Sequence, residues 1–544
     1  MKVKVLPSFL AVGLLAGMAA SVTGCAKSWR NKYAYDLDFN VDVKGQTIEM
    51  WTGFGSAIND EMDVILKEFT AKTGIKVEYE SKGSYDNVLN ATGLSATSGK
   101  FPHVVVGYPD HFASYVKQDI IVRLDYYFQN DVHNATFEPE GESFKITDFY
   151  SDYMAENQAI EFDQQGNPYT LGVPFNKSTE VLIYNKTFFD WCAQQTAYAN
   201  SIFVPRTYDE VDSVGKAILN LIKNAPSADG GQAGAFNKYL WTDGKAHNAA
   251  PADPKKDLVL NLSGIFEWGT AGKANKDCFK PFSYDSQANL FITSVRQNGG
   301  TYTYFDKEAK QGYIGFDSQE AYNALNKLNT LYTNNTFGIP ADWDEAKYGS
   351  NPFKAQKTVM TLGSSAGVTN DAPSGNAFDI ASAPVPYFSA DKKFVISQGA
   401  NLALLDKGSR EQRVAAWQLI KFLTKYANGY LCAKTSYYPS CAYAEKGGMW
   451  AGASDDFQDY ATFMQESITS INTTERIKGQ TAKVNTDYYV KDSEKWTKFV
   501  DQPFAGSASI RTEVAAIPGY VFLEKKTPQQ AIEIVKKKLA DYVK

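Results

Sequence analysis

The sequence predicts an α/β fold in two lobes, each a mixed sheet flanked by helices, with a cleft where the chain crosses between them. Three observations predict it. The chain has 544 residues, 44% of them apolar, too many for one hydrophobic core and enough for two or more. Strand and helix patterns alternate from residue 46 to about residue 110 and resume after residue 186, the order that builds sheets covered by helices. Between the two series lies VPFNKSTEVLIYNK, residues 173–186, where two apolar strand segments enclose five hydrogen-bonding side chains, Asn176 to Glu180. A strand buried in one core would be penalised for such a plug. A chain leaving one lobe for the other, with the plug facing the cleft, would not.

The first element is a leader. Lys2 and Lys4 precede a mostly apolar run from Val5 to Val22, and Val22-Thr23-Gly24-Cys25 follows. This is the pattern of an exported lipoprotein, with residues 1–24 as signal peptide and Cys25 as the acylated residue. A transmembrane helix is the competing reading, and it needs about 20 apolar residues without a small-residue cleavage site. Residues 25–45 are polar and charged, as suits a tether.

From Gln46, residues 47–52 read as a strand. Residues 59–73 follow as a helix, with Met62, Ile65, Leu66 and Phe69 on one face and Gly74 as its stop. Residues 75–79 form a second strand, 86–98 a helix, and 104–106 a short buried strand ending at Tyr108-Pro109-Asp110. Ligands of such sheets sit beyond the carboxyl ends of the strands, where Trp51, Tyr85 and Asp110 fall. The second series starts with a helix over 208–223, followed by a loop insertion over 225–280. Helices over 287–297 and 318–334, strands over 358–362 and 396–405, and an amphipathic helix over 411–425 complete it. The expected division assigns 46–177 and 363–400 to the first lobe, and 178–362 and 401–544 to the second.

Composition narrows the function. A net charge of −6 offers no long-range attraction for nucleic acid or anionic lipid. The 33 Tyr, 33 Phe and 9 Trp suit rings stacked on a ligand, although an aromatic core uses the same residues. Apart from Cys25, four cysteines remain, an even number that permits disulfides in an exported chain; Cys432 and Cys441, nine apart, are the first candidates for a pair. With no CxxC spacing and four His, no zinc site is expected. Gly53-Phe54-Gly55 lacks the third glycine of a dinucleotide fingerprint, so no cofactor is expected either.

Gly363-Ser364-Ser365-Ala366-Gly367 matches a hydrolase nucleophile elbow. Yet His103, His111, His133 and His247 all precede it, which argues against an exported serine hydrolase. The same small residues after a strand would cradle an anion or a hydroxyl. Asp110 reads equally as a helix N-cap or as an acceptor for vicinal hydroxyls. Arg511, in SASIRTEVAAIPGY, reads alone as a surface charge or a ligand contact.

Several segments then fall into one order: TIEMWTGFGSAINDEMDVILKEFTAKTGIKVEYESKGSY, FPHVVVGYPDHFASYVKQDIIVRLD, VPFNKSTEVLIYNKTFF, PRTYDEV, SQGANLALL and EKKTPQQAIEIVKKKL. Together they resemble the extracellular solute-binding proteins of carbohydrate-type ABC importers over roughly residues 46–540, apart from the insertion. The resemblance implies a type II periplasmic-binding-protein fold and no enzymatic step. It also implies a monomer that closes on its ligand and delivers it to a membrane permease.

Within the family the motifs are most similar to the glycerol-3-phosphate-binding branch. On that likeness KGSY places Tyr85 on the ligand, and the polar plug places Ser178 there. MTLGSSAG places Ser364 at a phosphate, SQGAN puts Gly399 at a backbone contact, SYYP aligns Tyr437 with the branch's ligand-facing Tyr, and Arg511 pairs with the phosphate. The branch's glycerol-binding Glu aligns with Pro109, leaving Asp110 as the carboxylate, and its stacking Trp aligns with Tyr284 or Asp285. The implied ligand is glycerol-3-phosphate or a glycerophosphodiester. A neutral mono- or oligosaccharide is the alternative, because Asp110 also matches the sugar-binding Asp of maltose-type relatives. An adhesin reusing the fold is the reading from another class.

Overall fold

The structure, a computed structural model, describes residues 39–132, 135–269, 275–309, 311–345, 348–490, 496–540 and 542. The expected signal peptide, Cys25 and most of the tether lie outside the described residues, as does His133. Ten strands build two principal sheets. In chain order these are β1 (Thr47–Thr52), β2 (Lys76–Ser81), β3 (Val104–Gly107), β4 (Val173–Ser178), β5 (Glu180–Asn185), β6 (Phe282–Tyr284), β7 (Phe337–Gly338), β8 (Met360–Ser364), β9 (Ile380–Ala383) and β10 (Gln398–Leu404). The first sheet has the order β2-β1-β3-β10-β4 and the second β7-β6-β8-β5-β9. β1, β2 and β3 are parallel, and β10 runs antiparallel between β3 and β4. In the second sheet β6 is parallel to β7 and β8, and β5 is antiparallel to β8 and β9.

Local sequence explains the elements. β3, Val-Val-Val-Gly, is buried along its whole length, as an interior strand covered on both faces must be. The helix Ser56–Thr73 buries Met62, Ile65, Leu66 and Phe69 and ends at Gly74, whose φ of 72° closes the helix in the left-handed region. Ser84 caps the helix Tyr85–Ser95 by accepting from the Asn87 N–H at 3.1 Å. Thr207 and Glu210 form a capping box at the start of helix Tyr208–Asn224.

The lobes divide differently from the sequence expectation. β8 and β9 pair with β5 and belong to the second lobe, whereas β10 and the helix Arg410–Lys421 belong to the first. The expected assignments of 363–397 and of 401 to about 467 are therefore reversed. Apolar strands of equal character carry no mark of which sheet will hydrogen-bond them. The chain crosses between lobes at Thr179, at Ser397, and between the helices Tyr460–Ser467 and Thr473–Val484.

The insertion is also more than a loop. Strands Tyr239–Trp241, Ala246–His247 and Leu258–Asn261 form a small sheet, Glu267–Trp268 pairs with Cys278–Phe279, and Leu240, Leu260 and Phe279 join the second core. At the other end, the tether's last residues pack: Phe39 and Val43 are buried against the first core. Cys432 and Cys441 are separate buried thiols, not a disulfide. Cys432 lies among Tyr153, Tyr438 and Tyr460, Cys441 belongs to the main core of the first lobe, and burial pushes the Cys441 thiol up to about 11.

The polar plug is buried rather than facing the cleft, and most of it is paired internally. Asn176, Lys177, Ser178, Thr179 and Glu180 are each at most 4% exposed. Lys177 Nζ bonds Glu156 and donates to Asn401 Oδ1 at 2.8 Å. The Thr179 N–H donates to Ser365 Oγ at 3.0 Å, and its hydroxyl donates to Asn485. Glu180 accepts from the Tyr284 hydroxyl and from Asn289 Nδ2 at 2.9 Å. Opposite the plug, β10 bulges between Gly399 and Asn401. Gly399 has φ 107°, and a Cβ there would stand 2.0 Å from the Asn176 carbonyl oxygen.

Two outcomes follow from these crossings. Gly399→Ala combines a left-handed backbone with a clash against backbone, so urea unfolding should show a loss of roughly 3 kcal/mol or more; unchanged stability would mean that the bulge relaxes. Burial pushes the Glu180 carboxyl up to about 7 from an ordinary 4.5. Because the unfolded chain ionises first, this group makes stability fall as pH rises from about 4.5 to about 7, by roughly 3 kcal/mol in total. Glu180→Gln should flatten that part of the slope in unfolding curves measured across the window; an unaltered slope would exclude Glu180 as its source.

Candidate ligand-binding cleft

The carboxyl end of β3 runs into Tyr108, which N-caps the helix Pro109–Lys117; Pro109 occupies its first turn and Asp110 follows. Asp110 is therefore not the cap. Its Oδ1 accepts from the His111 N–H at 2.9 Å, and it faces the second lobe across a cavity of 60 Å³. Ser397, Gln398 and Gly399 of the second crossover form the floor. Tyr302, Asp501, Gln502 and Arg511 close the far side.

Arg511 Nη1 donates to Asp501 Oδ2 at 2.8 Å, and Nη2 donates to Asn289 Oδ1. Burial pushes the Asp501 carboxyl up to about 6, while Arg511 draws it down. Asn289 also donates to Glu180 and, at 2.9 Å, to Gln398 Oε1, so one amide links the cleft arginine to two crossovers. The Tyr302 hydroxyl and Ser397 Oγ are buried without a hydrogen-bond partner among the described residues. Buried hydroxyls at the wall of a cavity are groups that a bound ligand can satisfy.

Beside the cavity, the rings of Tyr85 and Tyr108 lie 4.7 Å apart, and Tyr437 stands next to Tyr85. The lobes touch across the cleft. Lys498 pairs with Asp152 at 2.6 Å, and Gln502 donates to the Ala159 carbonyl at 2.7 Å. Small-molecule sites usually span about 300–1,000 Å³, so these contacts must part before anything of sugar size enters.

Of the residues singled out in the sequence, Asp110, Gly399 and Arg511 line the cavity, and Tyr85 and Tyr437 stand together at its margin next to Tyr108. Three lie elsewhere. Tyr284 is buried and holds Glu180. Ser178 ends β4 opposite Gln398. Ser364 caps the turn after β8, accepting from the Ala366 N–H at 3.2 Å. Its neighbour Ser365 receives the Thr179 N–H, so the serine pair serves the hinge.

Tyr108, Tyr302, Ser397, Asp501 and Gln502 escaped the sequence reading. Tyr108 and Asp110 flank Pro109 at the end of β3, and Tyr302 immediately precedes the strand Thr303–Asp306. Nothing local distinguishes Asp501 or Ser397.

Residues 65–465 match the family of bacterial extracellular solute-binding proteins. No curated protein matches the chain. Solved structures resemble it closely in fold at low identity. The cyclic α-maltosyl-1,6-maltose binding protein of Arthrobacter globiformis is 14% identical with a TM-score of 0.57, covering 91% of this chain and 98% of its own. UgpB of Mycobacterium tuberculosis, in complex with glycerophosphocholine, is 16% identical with a TM-score of 0.58 over 91% and 98%. The maltodextrin-binding domain MalE of Bdellovibrio bacteriovorus, bound to maltotriose, is 15% identical with a TM-score of 0.55 over 91% and 100%. The match over most of its length and the two-lobed architecture together place this chain in the family of bacterial extracellular solute-binding proteins, the non-enzymatic binding components of ABC importers.

Proposed function

We propose that this chain captures an uncharged, hydroxyl-rich carbohydrate between its lobes and hands it to the permease subunits of its importer. We also take it to act as a monomer held outside the cytoplasm by lipid on Cys25; the supporting feature is Val22-Thr23-Gly24-Cys25 after an apolar run. The observation that carries the ligand reading is the Arg511–Asp501 pair. A phosphate dianion needs net positive charge in its cradle. Here the guanidinium already has a carboxylate partner, Asp110 adds a second acid, and Ser364 stands outside the cavity. Paired Asp and Arg side chains offer acceptors and donors to vicinal hydroxyls, and the tyrosines offer ring faces to C–H groups.

A second reading has one specific support. The Asp501 carboxyl, pushed up to about 6, protonates readily, which would free Arg511 for the single charge of a phosphodiester. Tyr85, Tyr108 and Tyr437 could then face a quaternary ammonium. UgpB of Mycobacterium tuberculosis binds such a molecule.

Thermal unfolding with maltose, maltotriose, sn-glycerol-3-phosphate and glycerophosphocholine separates the two, because a ligand bound by the native state alone raises the melting temperature. Saccharides should raise it and phosphates should not; the opposite pattern would replace the first reading with the second. Arg511→Ala should weaken saccharide binding by about 2 kcal/mol. Tyr302→Phe should weaken it by about 1 kcal/mol without lowering stability, since its hydroxyl has no partner among the described residues to lose. A Tyr302→Phe protein with unchanged affinity would remove Tyr302 from the site.

A further inference from the structure

The helix Thr473–Val484, which enters the second lobe at the third crossing, runs on into a π-helical segment, Asn485–Val490. In such a turn the hydrogen bonds span five residues instead of four. Turns of this kind hold well under about 1% of residues and concentrate at functional sites, so their surroundings matter. Another one, Phe422–Tyr426, buries its rings in the first core. Asn485–Val490 lies against the hinge.

Its side chains face two ways. Asn485, 3% exposed, accepts from the Thr179 hydroxyl. The hydroxyl of Tyr489, itself 1% exposed, donates to the Glu180 carbonyl at 3.0 Å. The two therefore hold consecutive residues of the first crossing. The Tyr489 hydroxyl also accepts from the Val385 N–H at 3.1 Å, and Trp496 Nε1 donates to the Val385 carbonyl at 3.1 Å, which fastens the tyrosine to the second lobe. Thr486 and Val490, each one residue further along, meet the first lobe. Thr486 stands next to Tyr438, whose backbone bridges to Lys177 of β4, and Val490 packs against the cluster of Tyr153, Cys432 and Tyr438.

A turn of this kind stores register. It takes up one extra residue, so a return to α-helical register turns the chain beyond it by about 100°. That rotation carries Tyr489 off the Glu180 carbonyl and brings up Tyr488, whose ring already packs on Trp496 with centres 5.7 Å apart. Packed interiors move between discrete arrangements rather than deforming continuously, and two registers one residue apart are such a pair.

We propose that Asn485–Val490 is the bearing of the hinge, slipping by one residue between π and α register as the lobes close and part, with Asn485 and Tyr489 positioning the first crossing. The inference rests on the two-lobed architecture and is independent of which ligand the cleft takes.

Double electron–electron resonance on the full chain tests it. Spin labels go on Ser98→Cys in the first lobe and Asn326→Cys in the second, both exposed positions, in a Cys25→Ser background; the other four cysteines are buried. The wild type should give two interlobe distances. Deleting Thr486 removes the extra residue and should leave one distance with a cooperative melt retained. Tyr489→Phe keeps the ring, loses both hydrogen bonds and should change the ratio of the two distances by about threefold or more. Two distances at the wild-type ratio in the deletion variant, or a single distance in the wild type with and without maltotriose or glycerophosphocholine, overturns the bearing. An unchanged ratio in Tyr489→Phe overturns it too, whether or not the deletion variant folds. Two wild-type distances that collapse on deletion but respond to neither molecule uphold the bearing and count against both ligand readings of the cleft.

Discussion

Charge buried between two cores has to be paired, and that requirement organises the middle of this protein. An unpaired ion in such a place costs several kcal/mol. Lys177 is therefore matched by Glu156 and Asn401, and Arg511 by Asp501 and Asn289, whereas Glu180, held only by the neutral Tyr284 and Asn289, is pushed up to about 7. These partners come from both lobes and from two of the crossings. Satisfying them fixes where β4 ends, where β5 begins and how β10 pairs beside β4. The bulge at Gly399 is the steric counterpart of the same constraint, because the plug's backbone occupies the space where a side chain would stand.

Asn289 gives the arrangement a mechanical consequence. Its amide nitrogen holds Glu180 at the first crossover and Gln398 at the second, while its oxygen accepts from Arg511 in the cleft. The third crossing is tied in through Asn485, which accepts from Thr179. A ligand drawing Arg511 toward itself would remove one partner of Asn289, whose amide also holds two hinge segments. Lobe closure needs a differential interaction between open and closed states, and this network would be one route for it. The contacts that must part include the polar pairs of Lys498 with Asp152 and Gln502 with the Ala159 carbonyl.

Much of this was legible in the sequence wherever a local rule decides the outcome. The period of Met62, Ile65, Leu66 and Phe69 and the stop at Gly74 each act within one turn of chain. The interruption at Asn176–Glu180 announced a crossing. Its environment was read wrongly, because side chains that suit a solvated cleft also suit a buried network once partners arrive from 100 or more residues away, as Asn289 and Asn485 do. Lobe membership failed for the same reason: β9 and β10 are both short strands, and only long-range pairing separates them. In the cleft, Asp110 and Arg511 were found through motif likeness, whereas Tyr302, Ser397 and Asp501 matter only through their neighbours in space.

The distribution of charge also bears on what the cleft can hold. Glycerol-3-phosphate at neutral pH brings nearly two negative charges into a space already containing Asp110 and Asp501 against Arg511. Lys177 adds nothing, since it is committed to Glu156. Low local dielectric magnifies that imbalance. An uncharged ligand would meet no such penalty and could satisfy the hydroxyls of Tyr302 and Ser397, which have no partner among the described residues. That balance of charge is what supports the uncharged carbohydrate proposed above over a phosphate dianion.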